Sequence, residues 1–320
     1  MSERTSDPAV LFERARQGDR AALARLLSFI ERGGPEARAI SRLVAPHVGD
    51  AYVVGITGAP GAGKSTLTAS VIAALRARGE RVAVLAIDPS SPFTGGAILG
   101  DRVRMQDHAT DAGVFIRSMA TRGHLGGLSV ATSEAIRLLD AVGHPWVLVE
   151  TVGVGQVEVE IVGKADTTIV VVNPGWGDAV QANKAGLMEV ADVFAINKAD
   201  RDGTDQTKRD LQQMLELTEF SEGDWRPPIV PTIGTTGQGV EELLAEVAAH
   251  RDHATASGQL AHRRRIRRRE ELREIIERRL EQRARELSQG AHWEDVESRV
   301  VDGSLDPWSA ADDLLGGIGA

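Results

Sequence analysis

The 320-residue chain contains no cysteine, which excludes both a disulfide framework and a thiolate metal site. Lysine is almost as scarce: of 37 lysines and arginines, only those at 64, 164, 184, 198 and 208 are lysine. No apolar run reaches membrane-spanning length. The opening, Met1 to Val10, mixes Glu3 and Asp7 with Arg4 around no apolar core, so it reads as neither a signal nor a transit peptide. The eight histidines are scattered, and no internal repeat is visible. A soluble cytoplasmic protein without a membrane partner is expected. With 42% hydrophobic content the chain has material for one large core plus helical appendages.

Residues from about 8 to 45 read as helical, with Leu23, Leu26, Leu27 and Ile30 on one face and Asp19 as N-cap. Gly33-Gly34-Pro35 divides that stretch into two helices. Short branched runs then alternate with helical patterns: Tyr52–Ile56, Arg81–Ile87, Val114–Ile116, Trp146–Val149, Thr168–Val172, Val193–Ile196 and Ile229–Ile233. Such alternation predicts an α/β fold with a mostly parallel sheet flanked by helices. From about residue 256 strand signals stop and a long helical pattern takes over. The expected divisions are a helical extension over 1–48, a nucleotide-binding domain over 49–255 and a helical arm over 256–320.

Between the first strand and the helix expected over Ser65–Arg78 lies Gly58-Ala59-Pro60-Gly61-Ala62-Gly63-Lys64-Ser65, followed by Thr66. The spacing G-x-x-x-x-G-K-S in a strand–loop–helix context predicts a P-loop NTPase. Glycines let backbone N–H groups converge on a polyphosphate, and the helix N-terminus adds positive potential. Lys64 is expected to reach the β- and γ-phosphates and Ser65 to offer its hydroxyl to Mg²⁺. The bland alternative is a glycine-rich turn before a helix.

Asn197-Lys198-Ala199-Asp200 closes the run Val193–Ile196, at the strand end where open α/β sheets bind ligands. An aspartate at 200 accepts from N1–H and the exocyclic amine of guanine together; adenine offers neither arrangement. Lys198 is expected to cover one face of the base and Asn197 to tie this loop to the phosphate loop. Together the two motifs predict GTP or GDP as ligand.

Asp88 and Glu150 each end a strand near that loop, placed to hold Mg²⁺ directly or through water; a solvated strand-end carboxylate is the alternative for both. Asp101, in Gly100-Asp101-Arg102, is a further candidate or a simple turn. Gln156 either orients water or starts a helix. Asp178, Gln181 and Lys184 share one face if helical and follow a flexible loop, as a switch segment or an ordinary solvated helix.

Residues 262–285 hold eleven arginines and five glutamates, a net of +6, which leaves −15 for the rest of a chain whose total is −9. The run Arg263-Arg264-Arg265-Ile266-Arg267-Arg268-Arg269 invites a nucleic-acid reading. The i,i+4 pairs Arg267–Glu271, Arg273–Glu277 and Glu274–Arg278, and the absence of nearby aromatics, favour a charge-laced helix instead. His250 and His253 read as a solvated helix end.

These residues resemble the MeaB/ArgK-type GTPases, chaperones of methylmalonyl-CoA mutase. The likeness is carried by Gly58 to Ser65, Asp88 to Arg102, Glu150 to Gln156 and Asn197 to Asp200, and spans roughly residues 8 to 315. It implies a P-loop GTPase that works as a homodimer, with 256–320 as the dimerisation arm and Asp178, Gln181 and Lys184 in a third switch. It assigns Lys64, Asp88, Asp101 and Glu150 to nucleotide, magnesium or hydrolysis. It also implies gating of adenosylcobalamin loading into methylmalonyl-CoA mutase or a related cobalamin-dependent acyl-CoA mutase. One departure is Ile233-Gly234, where many GTPases carry Ser-Ala beside the base. A metal-insertion GTPase and a transport-associated kinase are the alternative readings.

Overall fold

The computed structural model describes residues 7–88, 108, 110–120, 125–151, 163–175 and 190–316, without the side chains of 88, 120 and 125–129. It divides into two compact units, Met1–Arg268 and Arg269–Ala320.

The first unit opens with α1 (Pro8–Arg16), α2 (Arg20–Arg32) and α3 (Pro35–Val44). There are three helices where two were expected, because Gln17-Gly18 break the stretch as well as Gly33-Gly34. Asp19 then caps α2, accepting from Ala21 N at 2.9 Å and Ala22 N at 3.0 Å. Next come β1 (Tyr52–Gly58), α4 (Lys64–Ala77), β2 (Val82–Asp88), β3 (Val114–Ala120), α5 (Leu125–Ala141) and β4 (Trp146–Thr151). After them follow β5 (Thr167–Val172), β6 (Val193–Asn197), α6 (Thr204–Glu216), β7 (Ile229–Thr232), α7 (Val240–Ala256) and α8 (Gln259–Leu287).

The strands form one seven-stranded sheet in the order β3-β2-β4-β1-β5-β6-β7, every pair parallel. Both faces are covered, so β1, β5 and β6 are buried along their whole length. Alternate residues feed opposite cores. Val53, Leu85 and Val149 point into a core shared with Phe12, Leu26 and Leu139, so the N-terminal helices pack on the same face as α5. Val54, Val84 and Leu148 point into the other core, against Leu67 and Val71 of α4 and Leu243 and Val247 of α7. Pro231, which lacks an N–H, sits in β7 at the sheet edge, where no ladder bond is lost.

At the N-terminal ends of the strands lies a buried polar network that the sequence reading did not foresee. Asp166, just before β5, accepts from Val53 N at 3.0 Å, from Arg264 Nη2 at 2.7 Å and from Arg267. Asp192, just before β6, accepts from Thr168 N at 2.9 Å and from Arg263 at 3.0 Å. The arginine run is therefore in part internal to the fold: three of its guanidiniums neutralise two buried aspartates. His250 is fully buried, not at a solvated helix end. Its Nδ1 lies 2.7 Å from Thr167 Oγ1, which also meets Tyr52 Oη at 2.5 Å. Its Nε2 lies 3.2 Å from Asp192 Oδ1, close but out of line for a hydrogen bond. The reason is that the last turns of α7 run beneath β5 and β6, where Trp225 packs edge-on against the imidazole.

The second unit holds the remainder of α8, then α9 (Ala291–Val301) and α10 (Pro307–Gly316).

Candidate nucleotide site

The phosphate loop joins the C-terminal end of β1 to α4, at the centre of the sheet and next to β4. The chain crosses from one side of the sheet to the other here, and the strand ends leave a crevice. Gly58 has φ +136°, and a Cβ there would stand 2.0 Å from the carbonyl oxygen of Val171 on β5, so no other residue fits. Gly63 has φ +91°, and a Cβ would reach 2.4 Å from Asn197 Nδ2. Glycine thus does two things in this loop: it turns the chain at β1 and lets Asn197 approach the start of α4.

Lys64 and Ser65 open α4 and are both buried. Lys64 Nζ arches back over the loop, donating to Gly58 O at 2.6 Å and Ala59 O at 3.1 Å. Ser65 Oγ donates to Glu150 Oε1 at 2.5 Å. Glu150 is only 2% exposed, which removes the alternative of a solvated strand-end carboxylate. Its place follows from the parallel register, which sets Glu150 opposite Ile56 on one side and Ala86 on the other. The next residue, Thr151, donates through Oγ1 to Thr57 Oγ1 at 3.0 Å, a hydroxyl pair that the motif reading passed over.

The second motif lies two strands away. Asn197, the last residue of β6, is 1% exposed and is hydrogen-bonded through both ends of its amide. Nδ2 donates to Ala62 O at 2.9 Å and Gly63 O at 3.3 Å, while Oδ1 accepts from Gly234 N at 2.9 Å. One side chain thus ties the phosphate loop to the turn after β7. Lys198 has φ +61°, the one non-glycine residue in the left-handed region among those described. It sends Nζ to Gly61 O at 2.6 Å, and its stem runs beside Gly63. Asp200 is exposed at the rim. The turn from Ile233 to Gln238 is closed by Ile233 N donating to Gln238 O at 2.9 Å and Gly237 N donating to Ile233 O at 2.9 Å.

The structure thus gathers Gly58 to Thr66, Glu150, Asn197, Lys198, Asp200, Ile233 and Gly234 at one edge of the sheet. Asp88 ends β2 on the same edge, and its side chain lies outside the described residues. Asp101, Gln156, Asp178, Gln181 and Lys184 lie outside them altogether. Main-chain amides at a helix start, a buried lysine and a hydroxyl–carboxylate pair suit a polyphosphate. A neighbouring exposed carboxylate suits a base with adjacent donors.

Comparison with known proteins agrees with that chemistry. The family model described as methylmalonyl-CoA mutase-associated GTPase MeaB matches residues 23–289. A Pyrococcus horikoshii protein named as a GTPase is 51% identical over 307 residues, covering 95% of this chain and 96% of its own. The Escherichia coli GTPase ArgK is 39% identical over 254 residues, 77% of each chain. The crystal structure of an LAO/AO transport system kinase aligns with 28% identity and a TM-score of 0.72, covering 100% of this chain and 99% of that one. The chain belongs to the family of methylmalonyl-CoA mutase-associated GTPases and carries that family's GTP-binding P-loop fold.

Proposed function

We propose that this chain is a Mg²⁺-dependent GTPase that hydrolyses GTP to GDP and phosphate. As a cytoplasmic homodimer it gates adenosylcobalamin loading into methylmalonyl-CoA mutase, or a related cobalamin-dependent acyl-CoA mutase, and protects that enzyme. The observation that carries the nucleotide reading is Asn197, whose amide joins the phosphate loop to the turn beside the base. Asp200 stands at the rim of that block to take the N1–H and exocyclic amine of guanine. The mutase reading is supported by the family description.

The residues fit magnesium. Ser65 Oγ and the Glu150 carboxylate stand 2.5 Å apart at the start of α4, a hard-oxygen set of the kind Mg²⁺ shares with phosphate oxygens. Ser65 would hold the ion directly and Glu150 through water, with Asp88 and Asp101 proposed beside them from sequence. The ion supplies neutralisation of charge on the β- and γ-phosphates. Lys64 adds a second positive charge there, and the loop amides fix the phosphates for in-line attack. Gln156 is proposed to orient the attacking water. Asp178, Gln181 and Lys184 are proposed as a switch that responds to loss of the γ-phosphate.

Dimerisation is proposed through 256–320. Leu272, Ile276 and Leu280 recur every four residues on α8 and are 60%, 49% and 64% exposed, an apolar face that suits a second copy. Among the described residues no group of three or more His, Asp or Glu side chains is placed to hold a metal ion. No described helix is long and apolar enough to cross a membrane.

The test mixes the purified chain with candidate mutases under GTP, GDP and a non-hydrolysable analogue, and reads complex formation and turnover. Basal hydrolysis of about 10⁻⁴ to 10⁻³ s⁻¹, accelerated by one mutase, is expected. A partner that alters neither rate nor nucleotide affinity overturns the gating reading. Transfer of labelled phosphate from GTP to a partner protein replaces it with the kinase alternative.

A further inference from the structure

A serine in mid-helix either points its hydroxyl to solvent or returns it to the carbonyl one turn back. Ser70, in the second turn of α4, does not. Its Oγ donates to Gly234 O at 2.6 Å, across 164 residues of sequence. Gly234 presses so closely on α4 that a Cβ there would stand 3.0 Å from Leu67 N and 3.2 Å from Leu67 Cα. Leu67 and Ser70, three residues apart, present one helix face to this turn. Gly234 is therefore held on both flanks: its N–H, in the peptide shared with Ile233, donates to Asn197 Oδ1, and its C=O, in the peptide shared with Thr235, accepts from Ser70 Oγ.

That clamp decides which amide of the turn is left to face a base. The Gly234 N–H is taken by Asn197, and the Thr236 and Gly237 N–H groups both turn back on Ile233 O. Thr235, between them, is exposed. We propose that Ser70 is a positioning residue for guanine: it fixes the Gly234 carbonyl so that the Thr235 N–H points to O6 of the base. The proposal rests on the GTP reading given above and adds to it a residue from the phosphate-binding helix. One helix then organises both ends of the nucleotide, Lys64 and Ser65 at the phosphates and Ser70 at the base.

The experiment measures calorimetric affinities, with Mg²⁺, for GDP, ADP, inosine diphosphate and 2-aminopurine riboside diphosphate. Inosine keeps O6 and lacks the exocyclic amine; 2-aminopurine keeps the amine and lacks O6. Ser70→Ala is expected to weaken GDP and inosine diphosphate by about five- to tenfold, the worth of one hydrogen bond. It should leave the 2-aminopurine analogue within about twofold. Ser70→Thr, which keeps the hydroxyl, should restore both losses. An equal loss on all three purines, as a loosened α4 would produce, or no loss at all, overturns the role of Ser70 while leaving the guanine reading standing. A native chain that binds ADP as tightly as GDP overturns the guanine reading, and Ser70's part in it with it.

Discussion

Asp166→Ala should be among the most destabilising single substitutions outside the nucleotide site. Asp166 is fully buried and accepts from Val53 N at 3.0 Å, Arg264 Nε at 3.1 Å, Arg264 Nη2 at 2.7 Å and Arg267. Burial alone would raise its pKa, but the Arg264 and Arg267 guanidiniums and the Val53 amide outweigh it and hold the carboxyl below its ordinary value. Removing it leaves two guanidiniums in a poorly hydrated site. Breaking a buried pair costs about 3–5 kcal/mol. The side chains of Arg264 and Arg267 keep 26% and 15% exposure, so the lower end of that range applies. That is a large fraction of a total stability of about 5–15 kcal/mol. Urea unfolding of the whole chain reads it directly. Because the folded pKa is depressed, the contribution is present above the unfolded value of about 3.9 and fades as pH falls through it towards the folded value. The variant's curve should therefore lie below the native one at pH 7 and converge with it in acid. Guanine nucleotide affinity should stay within about twofold, since one strand length, about 20 Å, separates Asp166 from the phosphate loop. A loss below about 1 kcal/mol at pH 7 would refute the reasoning.

Asn197→Ala removes the partner of Ala62 O and Gly234 N in a residue only 1% exposed. A stability loss of about 2–4 kcal/mol and a weaker GDP complex are expected, read by chemical unfolding and calorimetry; an unchanged unfolding midpoint would sink the bridging role. Asp200→Asn lies at an exposed position, so the fold should hold while preference passes from guanosine to xanthosine nucleotides, by a factor on the order of 10⁴ between the two. Unchanged GDP affinity in that variant would remove the assignment. His144 is buried, and its burial, then the nearby Arg81 and Arg20 charges, push its pKa down from 6.5 to about 4. The unfolded chain takes up the proton first, so stability should rise between pH 4 and 6.5, by about 3 kcal/mol over that window. A His144→Phe variant lacks this slope, and two parallel pH–stability curves would contradict the assignment.

The strands were legible because a sheet covered on both faces demands continuous apolar runs, and seven such runs stand out between glycine- and proline-rich breaks. Their ends extended further than expected at β3 and β4, where Arg117, Ser118 and Glu150 interrupt the apolar pattern while the ladder continues. The phosphate loop was legible because phosphate binding is done by backbone geometry, which requires glycines at fixed spacing. Thr57, Thr151 and Ser70 carried no such signal: a hydroxyl at a strand end or in a helix is compatible with any surface.

Local chemistry alone therefore made legible the class of fold, a strand–loop–helix of the P-loop kind and a polar tetrad at the end of β6, since each depends on residues a few positions apart. Only the tertiary structure decided which distant groups meet. Asn197 reaches Ala62 and Gly234 because β6 lies between β5 and β7 with its end level with the phosphate loop. The arginines at 263, 264 and 267 serve Asp166 and Asp192 because α8 starts beneath the sheet. His250 is interior for the same reason. Charge patterns along a chain state what a segment can pair with; desolvation in three dimensions selects the partner, because a buried aspartate must be neutralised by whatever cation the fold delivers.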